Sequence, residues 1–286
     1  MRVGMKRKGM VRMAALGLVG VLGLTSCTGA KSALPDLSSL GKVTTVSREE
    51  GSGTRAEFET LVDTREDGAA AVATSTQEVQ DMVAADKNAI GYLAFSGMEG
   101  SRDVKLLRVD RKEVTAENIR KGKYPLCRSY YLAYRGKLNA LAQDFMAYVM
   151  SRGQGVVGQS CVSVKKASTF LSEKPKGTLL IKGSTSAAVL IEELAKDYET
   201  CNPGAKITME SSDSSQGLTA AIRGECDFAV SSRELKDYEN ELLTKKAFAR
   251  DGIAVVVNAD NPVDELSVKQ IKTLYDGDCE NWKDLK

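Results

Sequence analysis

A strand that leads through a hydroxyl-rich turn into a helix recurs in this chain, and this alternation constrains the fold most strongly. The clearest copy is the stretch 43–55, VTTVSREEGSGTR, in which β-branched residues lead into a turn punctuated by glycine. A helical pattern follows, with Phe58, Leu61 and Val62 on one side. Strands that alternate with helices predict an α/β fold.

Two further copies of this arrangement lie later in the chain. Thr185 and Ser186 begin a helical pattern after the strand 178–181, and Ser214 begins one after the strand 206–209. A helix N-terminus carries unpaired N–H groups and the positive end of the helix dipole, and it therefore binds anions. Ordinary N-capping is the alternative explanation for each turn. If the turns converge at the carboxyl ends of the strands, they surround one small anion.

Charge and composition exclude several classes of function. Lys and Arg number 40 against 38 Asp and Glu, whereas a nucleic-acid-binding protein usually has a clear basic excess. The chain contains no histidine, which removes Ser-His-Asp and Cys-His nucleophiles and most zinc sites. We therefore expect no catalytic residue, no metal, no cofactor and no nucleic-acid partner. A serine hydrolase that uses Ser52 with a lysine base is the enzymatic alternative, and turnover of an ester would support it.

The N-terminal residues resemble a bacterial lipoprotein signal. A basic stretch precedes the apolar segment 13–24, which is too short to span a bilayer. The sequence Leu24-Thr25-Ser26-Cys27 then resembles a lipobox, in which the cysteine receives the lipid, palmitate included. The resemblance implies a signal peptide at 1–26, lipidation at Cys27, a tether at 27–40, and an anchor at the extracytoplasmic face of the cell membrane. A plain secretory signal with an incidental cysteine is the alternative.

The remaining cysteines do not form a metal-binding or redox motif. They are Cys127, Cys161, Cys201, Cys226 and Cys279, and none of them belongs to a C-x-x-C motif. Because their number is odd, at least one thiol has no partner within the chain. A disulfide between Cys201 and Cys226, which flank one helix-bearing unit, is one interpretation, and buried free thiols are the other.

Several motifs together resemble the phosphate-binding protein of the bacterial phosphate ABC transporter. They are Gly183-Ser184-Thr185-Ser186, Ser214-Ser215-Gln216-Gly217, Thr76-Gln77-Glu78-Val79, Ala89-Ile90-Gly91-Tyr92, Asn281-Trp282-Lys283-Asp284, and the stretches 48–55, 227–234 and 251–258. The resemblance covers nearly all of 41–286. It implies a type II periplasmic-binding-protein fold, in which two α/β lobes enclose a ligand cleft. It also implies a protein that binds inorganic phosphate, delivers it to the permease subunits of an ABC transporter and catalyses no reaction.

The order of these motifs differs from the order in that family. There the Gly-Ser-Thr-Ser motif comes first, whereas here the chain opens with the second half and ends with the first. The resemblance therefore implies a circular permutation, with the old ends joined through the polar segment 173–177. A fragment of a tandem or misassembled gene is the alternative. Lobe one is then expected at 127–257 and lobe two at 41–126 plus 258–286, so the strand through Val43 should pair into the same sheet as segments near the C-terminus.

The resemblance also implies which residues bind phosphate. Lobe one would contribute Thr185, Ser186, Ser214 and Ser232, and lobe two would contribute Arg48, Ser52, Gly53 and Thr54. Glu50 is expected to orient Arg48, and Ser215 is expected to support the site.

Ser232 is a departure from the family pattern. Many family members carry an aspartate there, which accepts the proton that phosphate holds and sulfate lacks near neutral pH. A serine hydroxyl accepts less exclusively, so Ser232 weakens the expected preference for phosphate. A binder of sulfate or another oxyanion is therefore one alternative function, and a phosphate sensor or adhesin with the same fold is another.

Overall fold

The computed structural model of the protein describes residues 34–64, 69–98 and 103–286. The predicted signal peptide, Cys27 and the first part of the predicted tether lie outside these residues. Among the residues described, none of the helices combines the length and the apolar character needed to cross a membrane.

Strands and helices alternate along the chain, as the sequence predicts. The strands are β1 (Thr44–Arg48), β2 (Ala71–Ala73), β3 (Ala89–Ala94), β4 (Val104–Leu106), β5 (Arg108–Val109), β6 (Cys127–Tyr134), β7 (Val162–Ser163), β8 (Gly177–Ser184), β9 (Ala205–Ser212), β10 (Phe228–Ser231), β11 (Thr244–Asn258) and β12 (Glu265–Leu266). The α-helices are α1 (Gly53–Val62), α2 (Thr76–Ala85), α3 (Ala116–Arg120), α4 (Ala140–Val149), α5 (Gln154–Ser160), α6 (Thr185–Cys201), α7 (Ser214–Arg223), α8 (Asp237–Leu242) and α9 (Val268–Tyr275). Short 3₁₀ turns lie at Phe95–Gly97 and Trp282–Asp284.

One long strand, β11, connects the two halves of the main sheet. The strand order is β2-β1-β3-β11-β6-β10-β8-β9, and β4 and β7 also pair with β11. The first part of β11, up to Gly252, pairs antiparallel with β6, and the part from Ile253 pairs antiparallel with β3. On either side of this centre the sheet is parallel, with β1 beside β2 and β3, and β8 beside β9 and β10.

Two large apolar cores flank this junction and define the two lobes, and a smaller apolar cluster lies around α7 and β10. The core of lobe two is built around Phe58, Tyr92 and Trp282, and Phe58 stacks on Tyr92 with the ring centroids 3.8 Å apart. The core of lobe one is built around the aromatic side chains of α4 and α6. Along β11, Ala249 belongs to the core of lobe one and Ile253 belongs to the core of lobe two, so the strand passes from one core to the other between these residues. This change lies a few residues before the predicted lobe boundary at 257, and the division into domains stays a prediction.

The two ends of the described chain meet in lobe two. Val43 donates its N–H to the carbonyl of Glu280 over 2.8 Å, and Trp282 donates its N–H to the carbonyl of Gly41 over 3.2 Å. An isolated antiparallel bridge joins the neighbouring residues 42 and 281. The two ends are therefore close together, as expected, but the expectation that they pair into the same sheet is wrong, because the described C-terminal segment contributes only this isolated bridge and no strand of the main sheet.

The segment 173–177, at which the permutation hypothesis joins the two halves, is held against lobe one. The buried carboxylate of Asp144 on α4 accepts hydrogen bonds from Ser172 Oγ at 2.7 Å and from the N–H of Glu173 at 3.0 Å. Asn202 Nδ2, just after α6, donates to the carbonyl of Pro175 at 2.8 Å. The segment is therefore anchored at several points by side chains of lobe one.

The disulfide suggested between Cys201 and Cys226 is wrong, because all five cysteines of the described residues carry free thiols. Cys201 precedes β9 and Cys226 precedes β10, and these strands lie on opposite sides of β8. The strand β8 therefore lies between the two strands that the cysteines precede, whereas a disulfide needs Cα atoms within about 7 Å.

Candidate functional site: a cleft lined by helix N-termini

The N-termini of three helices meet where the lobes face each other. Helix α1 begins at Gly53, α6 at Thr185 and α7 at Ser214. A Cβ atom added to Gly53 would lie 2.3 Å from Ser214 Oγ and 2.5 Å from Ser232 Oγ. The start of α1 in lobe two is thus so close to the polar turns of lobe one that no side chain fits there.

Hydroxyl groups form two short chains in this cleft. Thr54 Oγ1 and Ser186 Oγ, which come from different lobes, are 2.8 Å apart. Ser184 Oγ donates to Ser232 Oγ at 2.8 Å, and the N–H of Ser232 donates to Ser214 Oγ at 3.1 Å. All these side chains are buried. Donors from both lobes are therefore concentrated around the helix N-termini, where a negative charge is favoured.

Arg48 brings a positive charge to the start of α6. It is the last residue of β1, and it is 1% exposed. Its Nη2 donates to Thr185 Oγ1 at 3.0 Å, which joins the two lobes. Its Nη1 is buried and has no hydrogen-bond partner among the described residues. Since buried N–H groups are nearly always paired, this nitrogen has a donor to offer to a ligand.

The residue that orients Arg48 is Glu49, and the expectation that Glu50 does so is wrong. Glu49 accepts from Arg48 Nε and from Arg48 Nη2, both at 2.8 Å. Its own N–H donates to the carbonyl of Ala73 over 3.0 Å, which continues the pairing of β1 with β2 and keeps Glu49 beside the guanidinium. Glu50 lies in the following turn, is exposed, and lines a polar surface cavity of about 780 Å³.

Ser52 and Ser215 contact their surroundings in different ways. Ser52 is the N-cap of α1, and its hydroxyl accepts from the N–H of Arg55 at 3.4 Å. Capping therefore accounts for the Ser52 side chain. Ser215 donates from its N–H and from its hydroxyl to the carbonyl of Gly51, at 3.3 Å and 3.2 Å. Ser215 thus joins lobe one to the turn that precedes α1.

Arg128 is a second buried arginine of the cleft, and the sequence analysis missed it. It lies on β6 and is 4% exposed. Its Nη1 donates to Thr54 Oγ1 at 2.7 Å and to the carbonyl of Ser232 at 3.3 Å. The sequence held one signal, since Arg128 alternates with the buried Tyr130 and Leu132. A charged residue at an inward position of a strand indicates a paired or functional group.

Arg128 is fixed by a buried acidic partner. Asp251 lies opposite it on β11, and Asp251 Oδ2 accepts from Arg128 Nη2 at 3.3 Å and from the Tyr130 hydroxyl at 2.6 Å. The N–H of Ser96 donates to Asp251 Oδ1 at 3.0 Å. Burial holds the pKa of Tyr130 well above its ordinary value, so its hydroxyl stays protonated and keeps donating. The charge of Asp251 is thus balanced within the protein.

A third buried arginine, Arg233, pairs with a carboxylate outside the cleft. Its two terminal nitrogens donate to the two oxygens of Glu239, each at 2.8 Å. Burial raises the pKa of Glu239, whereas hydrogen bonds from Arg233 and from the N–H of Lys236 lower it. The lowering outweighs the effect of burial, so the pKa lies below its ordinary value. Arg233 Nη2 also donates to Ser215 Oγ at 3.1 Å, which supports the contact between Ser215 and Gly51.

Comparison with known proteins identifies the family. A family model described as the PBP superfamily domain matches residues 32–152 and 168–286. The chain is 35% identical over 295 residues to the phosphate-binding protein PstS 2 of Streptococcus pneumoniae serotype 4, in a match that covers 99% of this chain and 100% of that protein. The chain belongs to the PstS family within the PBP superfamily. PstS 2 of Streptococcus agalactiae serotype V is 35% identical over 296 residues, with 98% and 99% covered.

The fold agrees with a solved structure of this family. The crystal structure of a phosphate-binding protein of a phosphate ABC transporter from Streptococcus pneumoniae TIGR4 superposes with a TM-score of 0.70 at 34% identity. That match covers 86% of this chain and 100% of the other. The predicted two-lobed α/β periplasmic-binding-protein fold is therefore confirmed.

The order of segments is shared with the streptococcal PstS 2 proteins. One alignment runs through 99% of this chain and 100% of the Streptococcus pneumoniae protein, so the two chains share one order of segments. By contrast, PstS of Staphylococcus haemolyticus matches over 118 residues, which are 38% of this chain and 37% of that protein. A partial match is what a permutation between the two groups predicts, and the permutation itself stays a prediction.

Proposed function

We propose that this PstS-family chain binds inorganic phosphate in the cleft between its lobes and delivers it to the permease of an ABC transporter. The observation that carries the proposal is the buried, unpaired Nη1 of Arg48 beside the N-terminus of α6. A buried guanidinium nitrogen without an acceptor suits an anion oxygen. The relatives that match over their full length are named phosphate-binding proteins, which supports the same ligand.

The proposed ligand set combines one charge with many neutral donors. Arg48 would supply the charge, and the first N–H groups of α1, α6 and α7 would donate from three directions. The proposed phosphate-binding residues are Arg48, Ser52, Gly53, Thr54, Thr185, Ser186, Ser214 and Ser232. Ser52 and Gly53 would act mainly through the backbone, since the Ser52 hydroxyl caps α1. Such a site replaces the water shell of an anion and breaks no bond.

The contacts between the lobes suit a binding protein that encloses its ligand. The pairs Arg48–Thr185, Thr54–Ser186 and Gly51–Ser215 each join one lobe to the other at hydrogen-bond distance. An anion bound among these groups would add contacts to both lobes and stabilise this closed arrangement. We propose that the permease recognises the closed arrangement.

The test is calorimetric titration of the full chain with phosphate and with sulfate near neutral pH. We expect one phosphate per chain and tighter binding of phosphate than of sulfate. Sulfate is the most informative competitor, because it lacks the proton that phosphate carries near neutral pH. The acceptor proposed for that proton is the Ser232 hydroxyl, which already accepts a hydrogen bond from Ser184. Equal or tighter binding of sulfate would assign the site to sulfate or to oxyanions in general.

We also propose that the chain is a lipoprotein held at the extracytoplasmic face of the membrane through Cys27. The lipobox carries this proposal. Metabolic labelling with a palmitate analogue should mark the wild-type protein but not the Cys27→Ala variant. Cys201→Ala is the matched control and should still be labelled.

A role in transport has a separate test. Deletion of the gene should lower phosphate uptake, and unchanged uptake would favour a sensor or adhesin instead.

A further inference from the structure

We propose that Arg128 is a positioning residue, which orients a pair of hydroxyl groups that spans the two lobes so that the pair donates toward the anion. The inference rests on the proposed function, since it requires an anion in the cleft. It starts from one chain of contacts. Arg128 Nη1 is 2.7 Å from Thr54 Oγ1, and Thr54 Oγ1 is 2.8 Å from Ser186 Oγ.

The direction of this chain follows from the chemistry of its first member. A guanidinium has donors and no acceptor, so Thr54 Oγ1 must accept from Arg128. The Thr54 hydroxyl hydrogen is then left for an acceptor on the far side, where Ser186 Oγ lies. If Ser186 accepts it, the Ser186 hydrogen becomes available in turn. A hydroxyl that accepts from a cation is polarised and becomes a stronger donor.

Arg128 is held too firmly to bind the anion in the same way as Arg48. Its Nη2 donates to Tyr130 and to Asp251, and its Nη1 donates to Thr54 and to the carbonyl of Ser232. Both terminal nitrogens of Arg128 therefore have acceptors within the protein, and only its buried Nε has none among the described residues. Arg48, by contrast, lacks an acceptor at a terminal nitrogen, Nη1. The geometry thus points to an effect of Arg128 on the ligand through Thr54.

A double-mutant cycle tests this inference. Arg128→Lys keeps a positive charge opposite Asp251, but an ammonium group lacks the planar fork needed to serve Asp251 and Thr54 together. We expect Arg128→Lys and Thr54→Val each to weaken phosphate binding about tenfold, as for the loss of one charge-assisted hydrogen bond. In the Thr54→Val background, Arg128→Lys should weaken binding by less than about twofold, because the path is already broken.

Thr185→Val is the matched control, because the Thr185 hydroxyl accepts from Arg48 and has no contact with Arg128. The loss of phosphate affinity in the double variant Arg128→Lys, Thr185→Val should equal the product of the losses in the two single variants. If Arg128→Lys does not fold, the pair Arg128→Gln with Asp251→Asn removes both buried charges together and enters the same cycle. Multiplicative effects of the Arg128 and Thr54 substitutions would overturn this inference alone. Absence of phosphate binding by the unmodified chain would overturn the proposed function and this inference with it.

Discussion

Arg48 and Arg128 are both buried beside hydroxyl groups of the same cleft, but the protein neutralises them differently. The partner of Arg48 is its neighbour Glu49, whose side chain is 21% exposed, whereas the partner of Arg128 is Asp251, whose side chain is 1% exposed. Both terminal nitrogens of Arg128 have acceptors within the protein, and Arg48 retains one that has none among the described residues. Arg128 Nε is also buried without a partner among these residues, so neither burial nor an unsatisfied donor alone distinguishes the two cations, whereas an unsatisfied terminal nitrogen does.

The largest expected effect separates the two arginines by stability. Arg128→Met should lower the free energy of unfolding by about 3–5 kcal/mol, because it leaves Asp251 charged and buried without its cation. Urea denaturation measures this change. Adding Asp251→Asn should restore part of the loss. Arg48→Met should cost much less, because Glu49 can be hydrated, and equal losses for both arginines would break the comparison.

The second prediction separates them by ligand affinity. Arg48→Gln should weaken phosphate binding by about a hundredfold, because it removes the charge proposed to contact the anion. Titration calorimetry measures the change, and a denaturation curve checks that the variant is folded. Arg152→Gln is the control, since Arg152 pairs with Asp197 at the exposed surface of lobe one. A loss of less than about threefold in Arg48→Gln would remove Arg48 from the ligand set.

A third prediction concerns the close approach of the lobes between the two arginines. Gly53→Ala should weaken phosphate binding about tenfold, because its Cβ would overlap the Ser214 and Ser232 hydroxyls and oppose closure. Gly155→Ala is the matched control. Gly155 also lies at the start of a helix, and its nearest neighbour to a new Cβ would be Ala167 at 3.8 Å. Full affinity in Gly53→Ala would show that the bound form is more open than this structure.

The smallest expected effect distinguishes the two adjacent glutamates. Glu49→Gln should weaken phosphate binding about threefold, as expected when a partly exposed ion pair that orients Arg48 is lost. Glu50→Gln should leave binding unchanged, because Glu50 is exposed and lies in the turn after β1. The reverse result would restore Glu50 to the role that the sequence analysis gave it.

The sequence predicted the parts of the site that depend on local structure. Gly53, Thr185 and Ser214 each follow a strand and begin a helix, and short-range patterns are enough to locate such turns. The α/β class follows from the same alternation. The two-lobed fold required the family resemblance, since no local pattern encodes which strands of a sheet are neighbours.

The parts that the sequence analysis missed depend on tertiary pairing or on the end of an element. Arg128 and Asp251 are 123 positions apart and meet only because β6 pairs with β11 in one register. Glu49 continues the pairing of β1 with β2, and Glu50 lies in the turn that follows. Telling them apart requires the exact end of the strand, and the ends of elements are the feature least predictable from a sequence. The missing bridge between Cys201 and Cys226 likewise depends on the position of β8 between their strands.

The continuity of β11 also bears on how the molecule comes apart. Its first part supplies backbone hydrogen bonds to β6 and its last part supplies them to β3. Unfolding of either lobe would therefore remove the hydrogen-bond partners from one part of β11. The other part of the same strand belongs to the remaining lobe, which would be destabilised. The two lobes should lose their structure in a single cooperative transition, so that heating gives one calorimetric peak in place of two.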